Sequence, residues 1–207
     1  MQNEPFSSLT HLIGFMLSIT ALVLLTIYAE GAKEIVGVII FGTSMMLLYA
    51  ASTIFHLLKK DTRLKEIFRR IDHSMIYVLI AGTYTPVCFI ILKGIMGWVL
   101  FGIIWTLAVA GIIIKSGFKV KGHISTAGYV FMGWIGVIAL HEIFMRTGIK
   151  GLFWLITGGI LYTIGALIYY LDHRNPKMHL FGAHEIFHIF VIFGSFSHFW
   201  FILGVLT

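Results

Sequence analysis

Two histidines near the C-terminus, His184 and His188, stand four residues apart at the start of an apolar run from Leu180 to Leu206. On an α-helix such a pair shares one face, one turn and about 6 Å apart. Two imidazoles placed that way are half of a metal site and need further ligands. Glu185 completes the string H-E-x-x-H, in which zinc metalloproteases use the Glu as general base. A protease of that kind also needs a third ligand. No Asn-Pro or Asp-Gly type segment carrying an Asp follows, and the three prolines are Pro5, Pro86 and Pro176. Glu185 is therefore expected to point towards Arg174, Lys177 or the membrane interface.

The other candidates depend on what kind of chain carries them. Of 207 residues 58% are hydrophobic and 12% charged, with a mean hydropathy of +0.94. A soluble domain of this size has no interior large enough for that much apolar surface, so the composition implies a polytopic membrane protein. The single cysteine, Cys88, has no internal disulfide partner. Linkers and low-complexity stretches are absent, which predicts one domain over residues 1–207. A pI near 9.5 would point to nucleic acid in a soluble protein. Here the charges sit between apolar runs, where they set topology and meet anionic lipid, and no nucleic-acid partner is expected.

Seven apolar runs reach spanning length, at about 8–29, 35–58, 73–93, 96–115, 125–145, 151–171 and 181–206. The first is kept as a helix rather than a signal peptide, because Glu4 is the only charge before it and the run is long. The loops after the second, fourth and sixth runs hold eleven Lys and Arg, against four on the opposite side. The expected fold is therefore all-α and integral to the membrane, with seven transmembrane helices, N-terminus cytoplasmic and C-terminus outside. In the basic loop 59–72, Leu64, Ile67, Phe68 and Ile71 recur at helical spacing. This predicts a short interfacial helix on the inner leaflet, capped by Asp61 or Thr62. Pro86, in Gly82-Thr-Tyr-Thr-Pro86, predicts a kink, with Thr83 or Thr85 bonding a freed carbonyl.

The topology then brings distant residues to one depth. Ser52 and His56 lie at the inner end of the second helix, Asp72 at the start of the third, and His184 and His188 at the start of the seventh. All fall within about two helical turns of the inner surface. Intramembrane ionisable residues are costly and need a partner or a function. Three neutral imidazoles plus a water form a tetrahedral catalytic Zn²⁺ site with one open position. His56, His184 and His188 are the candidate ligands. Asp72 is placed to hold the water or take its proton, and Ser52 to bond that water or a substrate carbonyl. A lipid amide or ester carbonyl lies at that depth. The remaining histidines have plainer readings. His11, His73, His123, His173 and His179 read as interfacial or snorkelling groups. His141 and Glu142 fall near the outer face. His198 is expected to bond another helix, with Ser195 or Ser197.

Together, Ser52-x-x-x-His56, Asp72-His73, Gly82-Thr-Tyr-Thr-Pro86 and His184-x-x-x-His188 resemble the progestin and adipoQ receptor superfamily. The short chain looks like its bacterial branch, the hemolysin III family. The stretch Glu4-Pro-Phe-Ser-Ser-Leu-Thr-His11-Leu-Ile-Gly14 is similar to that branch's opening motif, with Ser7 where the family usually has Asn. The resemblance implies seven helices, an inside N-terminus, and zinc held by His56, His184 and His188 near the cytoplasmic leaflet. It implies a water held by Asp72, with Ser52 beside it. It also implies a link to ceramidase-type chemistry, to membrane-fluidity homeostasis and, by name, to haemolysis. The reading that follows is a zinc-dependent hydrolase of lipid amide or ester bonds in the cell membrane, with membrane lipids as partners. Its alternatives are a non-catalytic sensor with structural zinc and a pore-forming cytolysin. No span carries the polar stripe of a channel.

Overall fold

A computed structural model describes residues 5–92, 94–118, 122–172 and 182–207. Its elements are α1 (Pro5–Tyr28), α2 (Ala32–Leu57), α3 (Arg63–Pro86), α4 (Ile95–Gly117), α5 (Gly122–Trp134), α6 (Leu140–Asp172) and α7 (Ala183–Leu206). A π-helical turn, Val87–Ile91, extends α3, and a 3₁₀ stretch, Ile135–Ala139, joins α5 to α6. No strand occurs among the described residues.

Among the described residues, six helical runs are long and apolar enough to cross a membrane. One of them, Ile124–Leu171, has 48 residues, about 72 Å if straight and more than twice a bilayer's hydrocarbon core. It is not straight. Gly148 interrupts α6 at φ 64° and ψ −167°, a conformation that glycine adopts without the clash of a Cβ. Trp134 Nε1 donates to Thr163 Oγ1 at 2.9 Å, so residues 29 apart in sequence are side by side. The chain therefore doubles back at Gly148, between the fifth and sixth apolar runs.

Two expectations about α3 need correction. The basic segment is not a separate interfacial helix, because α3 runs unbroken from Arg63 into the core. Its amphipathic start is the first turns of a long helix, and Thr62 Oγ1 caps it by accepting from the Lys65 amide at 3.2 Å. At Pro86 the helix loosens into the π turn, which absorbs the missing N–H. Thr85 Oγ1 and Thr83 Oγ1 donate to the carbonyls of Ala81 and Leu79, ordinary one-turn partners rather than the Gly82 carbonyl that proline frees.

The bundle closes on itself. α2 packs along α1 and α3, α3 on α4, α6 along α7, and α7 on α1. Phe41, Met45, Tyr49, Leu100, Ile104, Phe201 and Ile202 fill the interior. Large apolar side chains cover the outside too, among them Met16, Ile27, Trp98, Ile113, Phe131, Ile138 and Phe153, each more than half exposed. A surface this apolar is solvated by lipid, not by water.

Candidate metal centre

Three helices deliver the candidate ligands. His56 is the penultimate residue of α2, and Ser52 sits one turn earlier on the same face. His184 and His188 occupy the first two turns of α7, behind an N-terminus that starts after extended Gly182. The α2–α1–α7 packing brings the three imidazoles together. One nitrogen from each lies within 4.8 Å of the others. His56 Nε2 and His184 Nε2 are 3.1 Å apart, and the ring centroids are separated by 4.5–4.9 Å. His56 and His188 are almost fully buried and His184 is half-buried.

The donor set fits a metal ion. Tetrahedral ligands with metal–nitrogen bonds of about 2.0–2.1 Å stand a little over 3 Å apart, near the separation of His56 and His184. His188 Nδ1 and Ser52 Oγ are buried without a hydrogen-bond partner. A buried polar atom left so costs about 1–3 kcal/mol, and three neutral imidazoles, one proton each, supply more converging acceptors than donors. A cation relieves that arrangement. The three histidines could hold a metal ion.

Asp72, on α3, brings its carboxyl beside Ser52, His56 and its neighbour His73, whose Nδ1 is 3.7 Å from Asp72 Oδ2. Ser52, Asp72, His184 and His188 all line one cavity of about 220 Å³ with mostly apolar walls, running between α3, α5, α6 and α7. Four of the five residues that sequence reasoning placed at one depth line this chamber, and the fifth, His56, meets the lining residues His184 and His188.

Other residues depart from expectation. Glu185 is turned towards α1, where Ser7 Oγ donates to its Oε1 at 3.0 Å. It lies outside the three-histidine cluster and does not line the cavity. Arg174 and Lys177, its expected neighbours, fall outside the described residues, as do His173 and His179 and the side chain of His123. His73 is no snorkelling group, since its Nδ1 lies 2.7 Å from the Arg69 carbonyl oxygen and the ring lines the cavity. His141 is exposed, and Glu142 pairs with Arg146. His198 bonds neither Ser195 nor Ser197. Those hydroxyls serve Tyr49, Tyr162 and the Trp154 carbonyl, and the His198 ring stacks on Tyr162.

His11 is the residue that sequence reasoning missed. It is 2% exposed, and its ring stacks on His188 with centroids 3.6 Å apart and planes 13° from parallel. Neither of its nitrogens has a hydrogen-bond partner. A signal was present. Ser7, His11, Gly14 and Ser18 recur at i, i+4, i+7 and i+11, a small and polar stripe on an apolar helix, and all four are buried.

Comparison with known proteins agrees with this architecture. The family model described as "Haemolysin-III related" matches residues 1–199. Hemolysin-3 of Bacillus cereus is 42% identical over 94% of this chain and 88% of its own length. The hemolysin-3 homolog of Bacillus subtilis (strain 168) is 43% identical over 98% of this chain and 94% of its own. The human monocyte to macrophage differentiation factor is 25% identical over 92% of this chain and 79% of its own. With its lipid-facing helices and a family match over nearly its whole length, the chain is an integral membrane protein and belongs to the hemolysin III family.

Proposed function

We propose that this protein is a zinc-dependent hydrolase of lipid amide or ester bonds that adjusts membrane composition. The observation that carries the reading is a three-imidazole cluster, two of whose rings line an apolar cavity together with an acid and a hydroxyl, in a lipid-solvated bundle. The accompanying topology is seven crossings, counting one on either side of Gly148, with the N-terminus cytoplasmic and the C-terminus outside. The basic loops after α2 and α4 support that orientation.

His56, His184 and His188 would hold the ion. When bound, Zn²⁺ polarises a carbonyl and lowers the pKa of water towards about 7. The Asp72 carboxylate accepts a proton from the attacking water and later delivers it to the leaving amine or alcohol. Ser52 Oγ, with no other partner, donates to the carbonyl oxygen or orients the water. The apolar walls exclude bulk water and seat the acyl chain.

Purified protein should contain about one zinc per chain and hydrolyse a lipid in a screen of amides and esters. Asp72→Ala should keep its zinc and lose turnover, and unchanged turnover removes Asp72 from the mechanism. The relatives' printed name favours a second reading, membrane lysis. Dye leakage from liposomes that survives loss of all three histidines would establish that reading instead.

A further inference from the structure

The cavity has a charged lining residue, Lys115, that the hydrolytic reading does not use. Among the described residues, Lys115 is the only lysine or arginine lining it. Lys115 lies near the C-terminus of α4, where a lysine ordinarily snorkels outward to the headgroups. This one turns inward. Its Nζ donates to Ser125 Oγ of α5 at 3.0 Å, Ser125 is 4% exposed, and the lysine itself is half-buried. No carboxylate among the described residues pairs with it. Its charged neighbours are Arg69 and His73, of like or neutral charge. Arg69 is already engaged by Glu66, at 2.8 and 3.0 Å, and Arg70 reaches across to the Ser116 carbonyl. Tyr129 Oη donates to the His73 carbonyl at 3.0 Å and ties α5 to this end of α3.

An ammonium withdrawn from water needs a counter-charge. Ser125 satisfies one of its three N–H donors and supplies no charge. Lys115 and Ser125 present donors towards one mouth of the chamber. We propose that this mouth is an anion subsite that binds the phosphodiester of a lipid headgroup. Lys115 and Ser125 hold the phosphate oxygens, while the chain or chains enter the apolar cavity. The inference rests on the cavity being a lipid site. It narrows the class, favouring phosphate-bearing lipids over neutral ones such as ceramides or diacylglycerols.

The test separates this inference from the hydrolase reading by using lipids without a cleavable bond. Binding of dialkyl-ether phosphatidylglycerol and of the matching neutral dialkyl glycerol is measured on detergent-purified protein, by quenching of tryptophan fluorescence (Trp134 lines the cavity). Wild type should prefer the phosphate-bearing ether by about tenfold or more, as a charge-assisted pair implies. Lys115→Gln should abolish that preference and leave the neutral ether unaffected. Lys115→Arg should retain it, and Lys33→Gln, far from the mouth at the start of α2, should change nothing. Thermal unfolding of each variant shows whether it is folded, and the Arg variant tests the proposal if the Gln variant is not. Equal affinity for both ethers in wild type overturns the subsite. So does palmitate competing at Lys115 while the phospholipid is indifferent to the substitution, since the anion is then a carboxylate. Phosphate-dependent binding without turnover of the ester lipid upholds the subsite and defeats the hydrolase reading.

Discussion

α7 carries two polar clusters about 15 Å apart, the His188 group near its start and the His198 group further along. The clusters solve the same problem differently. Around His198, hydroxyls complete one another: Tyr49 Oη donates to Ser195 Oγ at 2.7 Å, Tyr162 Oη meets Ser195 Oγ at 2.9 Å, and Ser197 Oγ donates to the Trp154 carbonyl at 2.7 Å. These bonds join α2, α6 and α7, and only His198 Nδ1 stands apart. Around His188, four imidazoles crowd together, and His188 Nδ1, Ser52 Oγ and both nitrogens of His11 have no partner. A polar cluster that satisfies itself is a helix-packing device. One whose buried nitrogens converge without completing one another is suited to holding a cation.

The sharpest way to break that distinction is to remove an imidazole from the second kind of cluster. His188→Ala should lower bound metal from about one ion per chain to a small fraction, read by elemental analysis of detergent-purified protein. His198→Ala should leave metal content untouched. If both variants lose metal equally, the two clusters are one coupled unit and the contrast fails.

The next test reverses the direction. Ser195→Ala leaves the hydroxyls of Tyr49 and Tyr162 facing each other across a gap, and should destabilise the bundle by about 1–3 kcal/mol in thermal or denaturant unfolding. Ser52→Ala removes a buried hydroxyl that lies beside the Asp72 carboxyl and completes no hydroxyl network, so it should cost less stability than Ser195→Ala. A larger loss for Ser52 than for Ser195 would mean that Ser52, too, is a packing group.

The two clusters also differ in how far the sequence discloses them. Hydropathy and charge alone place the helices, because a membrane span is set by length and transfer free energy, not by partners. The histidine cluster is reached through depth, a one-dimensional quantity that residue number supplies, and the structure brings His56, His184 and His188 together. What depth omits is azimuth. Glu185 shares the depth of its flanking histidines yet faces α1 and Ser7, a direction fixed only when α1 packs on α7. His11 was hidden for a related reason. It reads as an interfacial residue until α1 is seen to begin at Pro5, which places it two turns inside the helix on the stripe shared with Ser7, Gly14 and Ser18. The Gly148 reversal needed no partner, only a glycine where two spans had to fit.

The finest test concerns His11 itself, which stacks on His188 without belonging to the three-histidine group that could hold a metal. A ring stacked 3.6 Å from His188 restrains that ligand's plane whether or not it is an imidazole. His11→Phe keeps an aromatic ring there and deletes two buried nitrogens that have no partner. If His11 acts only by stacking, stability should change by less than about 0.5 kcal/mol, because the loss of unsatisfied polar atoms offsets the slightly larger ring. Metal content should then equal wild type, and His11→Ala should loosen metal binding by removing the restraint. Loss of metal in His11→Phe but not in His11→Gln would show instead that a polar atom at this position matters. The centre would then be a four-residue one, in which a closed, structural ion competes with the open, catalytic arrangement.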